Sequence, residues 1–95
     1  MKTIIETPNF NAKDSLTDFV KLHVEKLETL SDQIVESRVF LKLDKFDNKE
    51  NKVCEIKVSL PGNDLFASKH ADSFEEAVAQ CVDALKHQLK RWKHA

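Results

Sequence analysis

The chain has 95 residues, with 15 basic side chains against 16 acidic ones and a net charge of −1. That length holds one domain, because two would each be left with a core too small to stand alone, and the balanced charge removes the simplest argument for a nucleic-acid partner, a strongly basic total. A single glycine, Gly62, excludes both the dinucleotide and the Walker phosphate loops, each of which needs at least two.

The opening Met-Lys-Thr-Ile-Ile-Glu has no long apolar stretch and no small-residue cleavage site, so it does not read as a secretory signal. Cys54 and Cys81 are therefore expected as reduced thiols in a cytoplasmic protein. Lys2 to Glu6, with β-branched Thr3, Ile4 and Ile5, reads as a strand that Thr7-Pro8-Asn9 ends. Asn11 is the expected N-cap of a helix from about residue 12 to about residue 30, with Asp14 and Asp18 near its positive end. Leu16, Phe19, Val20, His23, Val24, Leu27 and Leu30 recur at three- and four-residue steps and define its buried face, with Leu22 pointing elsewhere.

From Ile34 the period changes to two. Val35, Ser37, Val39, Leu41 and Leu43 point inward, while Glu36, Arg38, Phe40, Lys42 and Asp44 point outward. Asp47 to Asn51 is a polar loop of hairpin length, followed by a strand with Cys54, Ile56, Val58 and Leu60 inward. Pro61 and Gly62 form a tight turn, Pro61 presetting φ at the first corner and Gly62 free to take positive φ at the second. Leu65 to Ala71 is the fourth strand. Ser73 and Glu76 form a capping box for a last helix running to the end of the chain, with the stripe Phe74, Val78, Cys81, Leu85, Leu89, Trp92. The order β-α-β-β-β-α predicts a two-layer α/β sandwich. Both helices cover one face of a four-stranded mixed sheet, the first two strands are parallel, and the last three form an antiparallel meander.

The chain has 41% hydrophobic residues, enough for a core, but no apolar run near the ~18 residues of a membrane span. The two cysteines fall on apolar faces and the four histidines have no ligand spacing, so neither a metal centre nor a Cys–His nucleophile is expected. No acid/base carboxylate pair stands out, and the chain is read as a non-enzyme without a cofactor. The charge is unevenly spread. Residues 1–83 carry all sixteen acids against eleven bases, whereas residues 84–95 carry Lys86, Lys90, Arg91 and Lys93 with no acid. Lys86, Lys90 and Lys93 form one helical row, and His87, Arg91 and His94 form the next, both away from the apolar stripe. Cations at a helix C-terminus also complement the macrodipole, but four in eight residues exceed that need. Outward Phe40 and Phe66 read either as a cross-strand contact, as a small protein interface or as a base-stacking surface. Trp92 completes the apolar stripe or stacks beside Arg91 and Lys93.

Leu16-Thr17-Asp18-Phe19-Val20-Lys21-Leu22-His23-Val24-Glu25-Lys26-Leu27 resembles the first-helix pattern of the ribosome hibernation promoting factor family, also called sigma-54 modulation proteins. Asp72-Ser73-Phe74-Glu75-Glu76-Ala77-Val78 and Asp83-Ala84-Leu85-Lys86-His87-Gln88-Leu89-Lys90-Arg91 resemble its second helix. The resemblance covers nearly the whole chain and is to the short, single-domain form. It implies a fold similar to double-stranded-RNA-binding domains and a stress-response inhibitor of translation, which binds 16S rRNA over the mRNA/tRNA channel of the small ribosomal subunit and preserves idle ribosomes. By this resemblance Lys21, His23, Lys26, Lys86, His87, Lys90, Arg91 and Lys93 are the rRNA-binding residues, with histidines at positions 23 and 87 where the family usually has Lys or Arg, and with Ala84 replacing a usual Lys. No membrane or small-molecule partner is implied, and the free protein is expected to be a monomer. The alternative is a paralogue on the same fold that acts as a protein-interaction module without ribosome binding.

Overall fold

The computed structural model describes residues 1–44 and 51–93. Strand β1 (Lys2–Glu6) lies at one edge of a four-stranded sheet in the order β1-β2-β3-β4, with β2 at Glu36–Leu43, β3 at Lys52–Leu60 and β4 at Asn63–Ala71. β1 pairs parallel to β2, with Ile4 opposite Arg38, and the other two pairings are antiparallel. Helix α1 (Asp14–Glu25) and helix α2 (Phe74–Lys93) cover one sheet face, giving the expected two-layer sandwich.

The β1–β2 crossover returns the chain beside its start. Asn9 fixes this return: its Nδ2 donates to the Leu43 carbonyl at 2.8 Å, and its Oδ1 accepts from the Leu43 N–H at 3.1 Å. The side-chain amide thus continues the β1 side of the ladder after Pro8 has ended it. Pro61-Gly62 links paired Leu60 and Asn63, and Gly62 takes φ +73°, a conformation that only glycine adopts without strain. Strand β4 therefore starts at Asn63, two residues before the expected Leu65.

Helix α1 departs from the sequence reading at both ends. Asn11 is not its cap: Lys13 holds that position with extended φ −72°, ψ 152°, and no side chain caps the helix. Phe10 stacks on Phe74 at 4.7 Å and holds the incoming chain on α2, so the backbone turns helical only at Asp14. At the other end α1 stops at Glu25 and tightens into a 3₁₀ turn, Lys26–Thr29, rather than running as one helix to Leu30. The Leu30 N–H bonds the Leu27 carbonyl at 3.0 Å, the three-residue spacing of that tighter coil.

The apolar faces pack as the periodicity requires. Val20, Val24 and Leu27 from the first helical segment, with Val78, Cys81, Leu85 and Leu89 from α2, are fully buried against Val39, Leu41, Cys54, Ile56 and Val58. Leu22 stands out in solvent, and Trp92 is half-buried at the end of the stripe. Val35 is a correction. It is exposed, and Ile34 is buried in its place, because the turn through Asp32 and Gln33 delivers Ile34 to the core before the alternation of β2 begins. Buried Ser37 is satisfied by donating to Met1 Sδ at 3.1 Å.

The capping box of α2 is half formed. Ser73 Oγ accepts from the Glu76 N–H at 3.1 Å, while the Glu76 carboxylate is taken by Gln80 Nε2 at 3.3 Å. Cys81 donates its thiol proton to the Cys54 carbonyl at 3.0 Å, and both thiols are buried and unbridged. The Cys81 sulfur, as acceptor for the Cys54 thiol proton, and then burial push the Cys54 thiol upward, away from thiolate reactivity. The loop expected at Asp47–Asn51 lies outside the described residues except for Asn51, whose carbonyl accepts from the Asp44 N–H at 2.8 Å.

Candidate nucleic-acid interface

The two helices lie side by side and run the same way, as three relations along their length define. Leu16 and Glu75 line one cavity near their starts, Lys86 acts on His23 midway, and Lys93 Nζ donates to the Leu30 carbonyl at 2.6 Å at the far end. The sequence positions advance together along both helices, so the seam between them is continuous. Lys93 is committed to it structurally, closing the open carbonyl end of the 3₁₀ turn.

His23 is half-buried in this seam, tilted against Phe19 with ring centroids 4.1 Å apart. Lys26 follows it on the first segment, and the charge of Lys86 acts on it from α2. Burial, and then the positive charges of Lys26 and Lys86, lower the His23 pKa below its ordinary value. The charges of two of the expected lysines thus act on the ring and favour its neutral form. The fold favours neutral His23, while the unfolded chain takes up a proton near pH 6.5, so this group's contribution to stability is present above that pH and is lost as pH falls through the lower folded value. The urea midpoint is expected to fall between pH 7.5 and pH 5, and His23→Gln is expected to reduce that fall. Equal falls in both proteins would contradict the assignment.

Lys90 and Arg91 are exposed farther along α2. The row of Lys86, Lys90 and Lys93 faces the seam, whereas Arg91 turns toward the β3–β4 corner, where it lines a shallow cavity of about 370 Å³ with Asn63, Leu65, Gln88 and Trp92. Gln88 Nε2 is held by the Phe66 carbonyl at 2.9 Å. His87 is exposed with Nε2 3.7 Å from Asp83, one helical turn back. His94, expected in the same row, lies outside the described residues. Lys21 is exposed but does not join the seam: two residues turn a helix by about 200°, which sets it opposite His23. Among the described residues, Lys26, Lys86, Lys90 and Arg91 form no ion pair.

The opposite face of the sheet is organised differently. Arg38 lies 3.5 Å from both Glu6 and Glu36, Lys42 2.9 Å from Glu55, Lys57 3.4 Å from Asp64, and His70 3.7 Å from Asp44. Arg38, Lys42 and Lys57 on this face thus each have an acid within 4 Å. Phe40 and Phe66 do not form the cross-strand pair considered above, because β3 separates them: Phe40 stands opposite Glu55, and Phe66 opposite Lys57. Lys42 Nζ lies 5.8 Å from the Phe40 ring centroid, while Phe66 is 55% exposed at the β4 edge. No helix among the described residues is long and apolar enough to cross a membrane.

A family model described as Sigma 54 modulation protein / S30EA ribosomal protein matches residues 3–95. The chain is 31% identical over 83 residues to the ribosome hibernation promoting factor of Acinetobacter guillouiae, covering 85% of this chain and 70% of that protein. It is 26% identical over 86 residues to the ribosome hibernation promotion factor of Deinococcus radiodurans, covering 90% of this chain but only 45% of that longer protein. Among solved structures, a ribosomal subunit interface protein from Coxiella burnetii superposes with a TM-score of 0.88 at 19% identity, with all of both chains covered. The N-terminal domain of Protein Y from Thermus thermophilus gives 0.80 at 26% identity, covering 97% of this chain and 99% of that one.

Proposed function

Since this chain belongs to the Sigma 54 modulation protein / S30EA ribosomal protein family, we propose that it is a ribosome-associated translation inhibitor that binds small-subunit rRNA over the mRNA/tRNA channel and preserves idle ribosomes. The observation that carries the reading within the fold is the seam of Lys26, Lys86 and His23, extended by Lys90, with cations unmatched by acids among the described residues. Such groups exchange counterions for phosphates, which supplies affinity without any bond-making step. Inhibition follows from occupancy. Arg91 and His87 serve the same backbone from the adjoining row, and Lys93 acts by holding α2 to the 3₁₀ turn.

Co-sedimentation with isolated small ribosomal subunits across a salt series tests this. Binding is expected at low salt and should weaken steeply as salt rises, the mark of phosphate contacts. No co-sedimentation at low salt would overturn the proposal. The rival reading, a protein-interaction module on the same fold, draws on exposed Phe66, and that outcome is what it predicts.

A further inference from the structure

The start of the helix seam opens into a cavity of about 400 Å³ between the β1–α1 loop, α1 and the first turn of α2. Its apolar lining is Phe10, Leu16 and Phe19. Phe10 is backed by Phe74, stacked nearly parallel at 7°, and Phe19 leans on His23, so both rings are held by partners outside the cavity. Asn11, Ser15 and Glu75 also line it, with Lys13 beside them. Among the described residues, none of these four side chains makes a hydrogen bond or an ion pair.

We infer that this cavity receives one unpaired nucleobase of the bound RNA. Three observations favour that occupant. The volume is in the range of about 300–1,000 Å³ typical of sites for small molecules. Aromatic rings with an unengaged amide, hydroxyl and carboxylate are the groups that stack on a base and meet its donor and acceptor edge. Lys13 and Glu75 put opposite charges on the lining, so it has no net pull on phosphate, and its aromatic walls suit a base. The cavity is also continuous with the cationic seam: Phe19 lines the one and touches His23 in the other. An RNA strand whose phosphates follow Lys86 and Lys26 can turn a neighbouring base into the cavity without leaving the surface. The inference rests on the rRNA reading above and adds a base-sized site to it.

The test compares the parent chain with Ser15→Trp, which fills the cavity from its exposed rim, and Phe19→Leu, which removes an aromatic wall while keeping it apolar. Affinity for isolated small subunits is measured over a salt series, with thermal melts confirming that both variants fold. Both variants are expected to bind roughly 5- to 100-fold more weakly, the range for losing one stacked base, with the salt slope unchanged because the phosphate contacts remain. Folded variants that bind as tightly as the parent would overturn the inference and leave the rRNA reading standing. Should the parent itself not bind subunits, the rRNA reading fails separately, and AMP and UMP titrated against the Phe10 and Phe19 ring resonances decide the cavity. Shifts abolished by Ser15→Trp would support a base site, and unmoved resonances would end it.

Discussion

Replacing Lys26, Lys90 and Arg91 together by alanine is expected to lower affinity for the small ribosomal subunit on the order of 100-fold at low salt, taking about 1 kcal/mol for each lost charged contact. The slope of log affinity against log salt should become shallower by about 2 to 3, at ~0.7–0.9 per phosphate contact. The three side chains are exposed and form no ion pair among the described residues, so the melting temperature should hardly change. This separates lost contacts from lost structure. Replacing Arg38, Lys42 and Lys57 together by alanine on the opposite sheet face removes as much charge, but from cations that already have acid partners. That triple variant is expected to bind nearly as the parent does. An equal loss from either face would mean that net charge, and not the helix seam, governs binding.

Leu85→Ala is expected to lower stability by about 2–5 kcal/mol through lost transfer free energy and the cavity left behind. Leu85 is fully buried in the middle of α2, between the seam and the sheet. At ~4–8 °C per kcal/mol for a domain of this size, the melting temperature should fall by roughly 10 °C or more in a calorimetric scan. Its neighbour in sequence, Lys86, is part of the seam, so subunit binding should disappear at the temperature where the variant melts. Leu22→Ala is the contrast: the side chain is 63% exposed, and the change should stay within ~0.5 kcal/mol. A similar small change for Leu85→Ala would mean that α2 does not pack on the sheet in this register.

The elements that were legible from local order are those whose signals agree. Helix α2 has a capping serine, a stripe at steps of three and four, and a cationic end, all pointing to the same segment. Strand β3 alternates strictly from Cys54 to Leu60 and is buried there as that alternation requires. Helix α1 was misread at its ends because the decisive forces there are not local. Asn11 has the chemistry of a cap, yet the stacking of Phe10 on Phe74, a residue 64 positions away, sets where the helix starts. The spacing of Val24, Leu27 and Leu30 fits an α-helix and a 3₁₀ turn equally well, so the apolar pattern could not reveal the tightening at Lys26.

The candidate site divides in the same way. A basic end on α2 is visible in the order of residues, and so is the presence of Lys26 one turn after His23. The approach of Lys86 to His23, the bond from Lys93 to Leu30 and the rotation of Lys21 to the far side of α1 depend on how two helices lie together. The pairing of Arg38 with Glu6 likewise needs the parallel register of β1 with β2, which brings residues 32 apart in sequence into contact.

That paired sheet face bears on how quickly a complex forms. Charges closed into pairs present only short-range dipoles to an approaching polyanion, whereas an unmatched cation is felt out to about a Debye length, ~8 Å at physiological salt. For the rRNA partner proposed above, the unpaired cations of the helix side turn the molecule toward the RNA before contact, and wrongly presented encounters gain little from the paired Arg38, Lys42 and Lys57 at the back of the sheet. Salt should therefore slow association as well as shorten residence, because it removes the torque that orients the incoming molecule.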